Sequence, residues 1–253
     1  MDILFTICGR AGSKGFKNKN LKEMNGVPLV FYTLATICLY MDLHPENLVN
    51  VAVNTDSQPL MDLIRRQGAL SDVQFIERKA ELAGDKVAKV DVIKDTYHLL
   101  DKAYDAVIDL DITSPLRMVA DVENIIDVYR SNGCYELVVS VAPARRSPYF
   151  NMVEKKKNFY RKICESNFAT RQETPEAFEL NASIYAYRPS FLDTDFSDSI
   201  LDHRCGISIM KDYLVLDIDS EEDFQMMETL HRHYIKHEDG IREVFEYAKK
   251  FVV

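Results

Sequence analysis

The rhythm of the first 141 residues limits this chain most. Short apolar, β-rich runs at Ile3–Cys8, Leu48–Val53, Val73–Ile76, Ala106–Leu110 and Leu137–Val141 alternate with segments of helical spacing. Pro28 stands where the first helix can begin, and Asp56 or Ser57 can cap a helix near Pro59–Gln67. Val90, Ile93, Tyr97 and Leu100 share one helical face, and a further helix is expected near Ala120–Ser131. Alternation at this interval implies right-handed βαβ units, an α/β fold and a mostly parallel sheet with helices on both faces, a Rossmann-like three-layer arrangement. Ligands of such sheets bind beyond the carboxyl ends of the strands. The loops 9–15, 54–57, 111–117 and 142–147 are therefore expected to gather on one edge.

The rhythm breaks after Val141. Residues 143–188 contain Pro143, Pro148, Pro175, several aromatics and Lys155–Lys157, which reads as an insertion of β-hairpins and loops suited to a dimerisation arm. The expected organisation is an α/β domain over 1–142 and 189–253 with this β-rich arm or substrate lid over 143–188. Strand character returns at Ser183–Tyr187 and Tyr213–Leu216, and two helices close the chain, the first beginning near Glu221.

The net charge of −9 argues against nucleic acid as a partner. It is unevenly spread, however. From Ile3 to Lys22 there is no acidic residue, while Arg10, Lys14, Lys17, Lys19 and Lys22 crowd together, which suits a small polyanion. Five scattered cysteines without a C-x-x-C give neither a zinc site nor a disulfide framework, and reduced thiols in the cytoplasm are expected. The N-terminus enters an apolar strand without the pattern of a signal peptide, and the apolar stretch Val27–Met41 is too short to span a bilayer, so no membrane association is expected.

Four constellations carry chemistry. Gly9-Arg-Ala-Gly-Ser-Lys-Gly15 through Asn20, placed directly after the first strand, is neither a Walker A loop nor a dinucleotide fingerprint. Gly12 and Ser13 let backbone N–H groups approach phosphate oxygens, and Arg10, Lys14 and Lys19 supply charged donors. Asp217 and Asp219 either present two hard oxygen ligands to Mg²⁺, or Asp219 caps the helix that follows. Asp109-Leu-Asp111 resembles the short D-x-D with which many sugar-nucleotide enzymes hold a metal, and equally fits a strand-end acid with a helix cap. In Asn167–Gln172 and Asn181–Tyr185, the planar fork of Arg171 suits a carboxylate, alongside Gln172, Asn181 and Tyr185; a surface salt bridge is the competing reading of Arg171. His231, His233 and His237 lack the glutamate of a metalloprotease helix and are expected on a solvated face, with Lys155–Lys157 at a hairpin tip.

Arg10, Gly12-Ser-Lys-Gly15, Lys19-Asn20, Arg78-Lys-Ala-Glu-Leu-Ala83, Thr113-Ser-Pro-Leu-Arg117 and Asp217-Ile-Asp219 together resemble the acylneuraminate cytidylyltransferases, or CMP-sialic acid synthetases, from the N-terminus to about residue 225. The resemblance implies a Rossmann-like sheet, a homodimer joined through an arm, and transfer of CMP from CTP to a nine-carbon 2-keto sugar acid with Mg²⁺ and release of pyrophosphate. It implies that Arg10, Lys14 and Lys19 hold the triphosphate and that Asn20 and Arg78 lie near the cytidine. Asp217 and Asp219 would bind the metal, with Arg10, Lys19 and Asp219 serving catalysis. Arg171 and Tyr185 would line the sugar site. Three positions depart from the sialic-acid pattern: Asp111 stands where Gln is usual, Lys89 replaces a Ser, and Glu179 falls where some members have Arg. With Pro143–Asn151 they look more like the branch activating legionaminic or pseudaminic acid, and an acid at 111 is a candidate source of sugar discrimination or a general base. Alternatives are a CMP-octulosonate synthetase, a glycosyltransferase using Asp109 and Asp111, and a non-catalytic nucleotide-binding regulator.

Overall fold

A computed structural model of the chain describes all residues except 13–14, 68–69, 71, 85, 196–198, 213–215 and 253. The five expected early strands form as β1 (Asp2–Cys8), β4 (Leu48–Thr55), β5 (Val73–Glu77), β6 (Ala106–Leu110) and β7 (Leu137–Pro143). A small hairpin, β2 (Glu23–Met24) and β3 (Val27–Pro28), precedes α1 (Leu29–Leu43), where Pro28 sits at the N-cap with φ −54°. Helices α2 (Gln58–Gln67), α3 (Lys89–Leu99) and α4 (Val119–Ser131) complete the alternating half. Ser57 caps α2 by accepting from the Leu60 N–H at 3.3 Å.

The insertion contains the antiparallel hairpin β8 (Val153–Lys156) and β9 (Phe159–Lys162), with Lys157 at its tip in the left-handed region (φ 52°). The segment outside the main sheet is 144–177, because β10 (Phe178–Tyr187) belongs to that sheet. Then follow α5 (Pro189–Leu192), β11 (Cys205–Ile209), α6 (Glu221–His237) and α7 (Asp239–Lys249). Sequence patterning does not announce β11, which is short and interrupted by Gly206. Of the expected strand at 213–216, residues 213–215 lie outside the described ones, and Leu216 belongs to no regular element.

The seven-stranded sheet has the order β11-β7-β10-β6-β1-β4-β5. All its pairings are parallel except those of β10, which runs antiparallel between β6 and β7. Alternation along β1 sends Ile3, Phe5 and Ile7 to one face, where they pack with α1, α2, α4 and α7. Leu4 joins Ala52, Val107 and Val139 on the other face, beneath Val90 and Ile93 of α3. Helix α1 is buried from Leu29 to Tyr40, which accounts for its continuous apolar sequence. No helix among the described residues is long and apolar enough to cross a membrane.

His231 departs from expectation. Instead of facing solvent it is buried on α6, with Nδ1 2.7 Å from Asn25 Nδ2 and its ring edge-on to Tyr32 and Phe245. It fastens α6 to the turn between β2 and β3. Burial pushes its pKa down to about 4.

Candidate active site

A cavity of about 270 Å³ opens at the carboxyl ends of β1 and β6, lined by Arg10, Lys19, Asn20, Arg78, Lys89 and Asp111, among others. Asp217 and Thr113 also line it. The loop after β1 is pressed into this position by close packing. A Cβ on Gly9 would lie 2.8 Å from Leu60 and 3.0 Å from Ile112, and one on Gly15 would lie 2.7 Å from the Asp219 carbonyl oxygen. The Ala11 N–H donates to Asp56 Oδ1 at 2.6 Å, so Asp56 anchors the loop while Ser57 does the capping. Asn20 donates to the Arg10 carbonyl at 3.2 Å, and Lys19 Nζ donates to the Ile218 carbonyl (2.8 Å) and Asp219 Oδ1 (3.0 Å). Residues 199 and 200 positions apart are thereby joined. Ser13 and Lys14, expected at the phosphates, lie outside the described residues.

Arg78 is buried and fixed from below: its Nε donates to Asn54 Oδ1 at 2.9 Å and Nη2 to the Asn54 carbonyl at 3.0 Å. Loop 54–57 thus supports the cavity from beneath. Loop 142–147 stands apart, tied by the Arg145–Asp212 ion pair at 2.8 Å.

The acidic groups divide sharply. Asp109 Oδ1 accepts from the Thr6 hydroxyl at 2.8 Å, and Asp111 Oδ1 accepts from the Thr113 N–H (3.0 Å) and hydroxyl (2.8 Å). The remaining oxygen of each faces Lys89, whose Nζ lies 2.5 Å from Asp109 Oδ2 and 2.7 Å from Asp111 Oδ2. Burial alone would raise the Asp111 pKa, but the Lys89 charge and the Thr113 donors overcome it and hold it at about 2. Lys89 in turn is pushed well above its ordinary range, because two carboxylates outweigh its burial.

Asp217 is the opposite case. Its Oδ1 is buried without a hydrogen-bond partner among the described residues, and burial, reinforced by the Asp111 charge, raises its pKa. The Asp219 side chain is 79% exposed. It does not cap α6. Ser220 does so, accepting from the Asp223 N–H at 3.1 Å while Asp223 accepts from the Ser220 N–H at 2.8 Å.

Tyr185 on β10 lies with Lys89 in a neighbouring cavity of about 330 Å³ whose lining includes Tyr187 and Ile200. Arg171 and Gln172 are exposed on a short 3-10 turn away from both cavities, with Arg171 donating to the Ala144 carbonyl at 2.6 Å. Asn181 faces the interior. Its Oδ1 accepts from the Ser140 hydroxyl (2.5 Å) and the Ser183 N–H (3.2 Å), and Nδ2 lies 3.0 Å from Met210 Sδ. These contacts stabilise the register shift of β10, where Ala182 has φ 53°.

Two residues matter more than sequence patterning indicates. Lys89 stands out there only as a departure from a family pattern, and Arg117 only as the end of Thr113–Arg117. Arg117 is 1% exposed and clamps the site floor: Nη1 donates to the Ser183 carbonyl (2.9 Å) and the Asp111 carbonyl (3.2 Å), and Nη2 to Thr33 Oγ1 (3.1 Å).

A family model described as cytidylyltransferase matches residues 4–251. The chain is 34% identical over 233 residues to a CMP-N,N'-diacetyllegionaminic acid synthase of Campylobacter jejuni, covering 90% of this chain and 94% of that protein. The same figures hold for the post-translational flagellin modification protein B of Campylobacter coli. An N-acylneuraminate cytidylyltransferase of Streptococcus agalactiae is 24% identical over 235 residues, covering 88% of this chain and 52% of that protein. Among solved structures, a CMP:2-keto-3-deoxy-manno-octonic acid synthetase complexed with CTP superposes with a TM-score of 0.69 at 15% identity, covering 92% of this chain and 99% of that one, a likeness of fold.

Proposed function

Because this chain belongs to the cytidylyltransferase family, we propose that it transfers CMP from CTP to the anomeric hydroxyl of a nine-carbon 2-keto sugar acid of the legionaminate type, releasing pyrophosphate. The observation that carries this reading is the convergence of Arg10, Lys19, Asn20, Arg78 and Asp217 on one cavity at the carboxyl edge of the sheet. Membership of a nucleotidyltransferase family sets aside the glycosyltransferase and regulator alternatives. Legionaminate is favoured over octulosonate because the 34% relatives span nearly the whole chain, whereas the octulosonate likeness is one of fold.

In this reading the triphosphate lies along the loop after β1, with Arg10 and Lys19 neutralising charge on the departing pyrophosphate. Arg78 and Asn20, both held by backbone carbonyls or by Asn54, orient the cytidine end. The Asp217 oxygen that has no partner among the described residues and the exposed carboxylate of Asp219 fit Mg²⁺, a hard cation commonly shared between carboxylates and substrate phosphates. When bound there, it would neutralise phosphate charge that the side chains alone leave uncompensated. A carboxyl held at about 2 with both oxygens engaged is a poor proton acceptor, so Asp111 orients rather than acts as general base. Tyr185 supplies one wall for the sugar. The internal bonds of Asn181 give it a positioning role, and Arg171 and Gln172 reach the sugar only by movement of the inserted segment.

Homodimerisation is part of the proposal. The hairpin exposes Val153, Phe159 and Tyr160, and Leu180 and Ile209 flank Val141 in register on the sheet face. Such apolar exposure suits a second copy of the chain, and sedimentation velocity tests it. Incubation with CTP, Mg²⁺ and a panel of nine-carbon acids and octulosonate, following pyrophosphate, tests the reaction. Turnover of octulosonate with none of the nine-carbon acids overturns the acceptor assignment.

A further inference from the structure

The D-x-D spacing at the end of β6 places two carboxylates beside a polyanion site, an arrangement that ordinarily recruits a divalent cation. Here all four carboxylate oxygens are engaged. Thr6 and Thr113 take one oxygen from each aspartate, and the Lys89 ammonium takes the other two. The Asp109 contact is an ion pair rather than an aligned hydrogen bond, while the Asp111 contact is both. A metal could enter only by expelling the ammonium.

Local preference does not put a lysine there. Lys89 is the first residue of α3, where a cation opposes the helix dipole, so the two carboxylates must outweigh an unfavourable position. Its ammonium lines both cavities, 5.9 Å from the Tyr185 ring centroid. An ammonium has three donors: one is spent on Asp111, the charge is shared with Asp109, and a donor remains for a ligand oxygen. Asp217 differs: among the described residues its Oδ1 has neither a hydrogen bond nor an ion-pair partner.

We propose that Lys89 is a built-in cation that takes the place of a divalent metal at the Asp109–Asp111 pair, where the nucleotide and acceptor cavities meet. The metal of this enzyme is then confined to Asp217 and Asp219, and the positive charge at the junction is covalent and non-exchangeable. The consequence for catalysis rests on the cytidylyl-transfer reading, whereas the occupancy of the pair does not.

The test counts Mn²⁺ bound to nucleotide-free protein by the electron paramagnetic resonance signal of the free ion. Lys89→Met is expected to bind one Mn²⁺ more than the parent, and adding Asp111→Asn to that variant should remove it. Asp111→Asn alone should leave the parental count unchanged. Equal counts for the parent and Lys89→Met, or a lower count for Asp111→Asn alone, overturn the proposal. Should Lys89→Met fail to fold, the Asp111→Asn comparison decides by itself. Pyrophosphate release is scored separately, so an inactive parent would sink the functional reading and leave the metal count intact.

Discussion

Replacing Arg117 with methionine keeps much of the side-chain volume and removes every donor of the guanidinium. Burial draws the Arg117 pKa down to about 10, so the clamp is still a cation at neutral pH. Its loss would take the guanidinium donors from the carbonyls of Asp111 and Ser183 and from the Thr33 hydroxyl, around a side chain only 1% exposed. An unmade hydrogen bond at a buried group costs about 1–3 kcal/mol. The Asp111 carbonyl still accepts from the Thr33 hydroxyl at 3.2 Å and the Ser183 carbonyl from the Asp111 N–H at 3.1 Å, so neither is left wholly unpaired. Because no carboxylate is left unpaired and each acceptor keeps one partner, the expected loss is about 1–3 kcal/mol. For a chain of this length that corresponds to a fall in Tm of about 2–12 °C. Urea unfolding and thermal circular dichroism measure it, and Arg117→Lys should recover only part, because an ammonium cannot reproduce the fork. An Arg117→Met protein as stable as the parent would falsify the clamp.

Three further outcomes are expected. Arg10→Ala should lower the rate of pyrophosphate release by about 10²–10³ with little change in Tm, and parental turnover would refute its role in neutralising phosphate. Gly15→Ala should raise the KM for CTP, since the new Cβ would meet the Asp219 carbonyl at 2.7 Å and force the loop or the carboxylate to shift; an unchanged KM counts against that contact. Burial pushes the pKa of Asp121, whose Oδ2 accepts from the Met118 N–H at 2.8 Å, up to about 6. A raised folded-state pKa favours the folded protein below the unfolded value and loses that contribution as pH climbs through about 6. Asp121→Asn should thus gain on the parent by on the order of 2 kcal/mol between pH 4 and 7 in urea titrations, and a pH-independent difference argues against the shift.

Four of the five early strands were legible because each contains a short apolar run buried on both faces, whereas β5, at the sheet edge and only part-buried, reads through Val73, Phe75 and Ile76. β10 was only half legible: Ser183–Tyr187 reads as a strand, but Phe178–Ala182 gains its pairing through a register shift held by Asn181 and Ser140, 41 residues apart. The same non-locality limited the site. Arg10, Lys19, Asn20, Arg78, Asp111 and Asp217 were visible as types suited to phosphate, nucleotide and metal, and they converge. That Lys89 would hold both aspartates was not visible, since its partners lie 20 and 22 residues away on another element. The polar pattern at Asn181 reads identically whether the amide faces a ligand or the core.

The position of β10 also dictates an order of events during synthesis. β6 and β7 are never neighbours, because the strand between them is made from residues 178–187. A nascent chain ending before that segment therefore leaves β6 with an unpaired edge and β7 with no anchored partner, a state prone to mispairing. The cavity itself waits longer, for residues 217–219 to reach Lys19. The edge that carries the candidate site is consequently assembled among the last long-range contacts, and chains released early would lack the complete cavity and be exposed to aggregation.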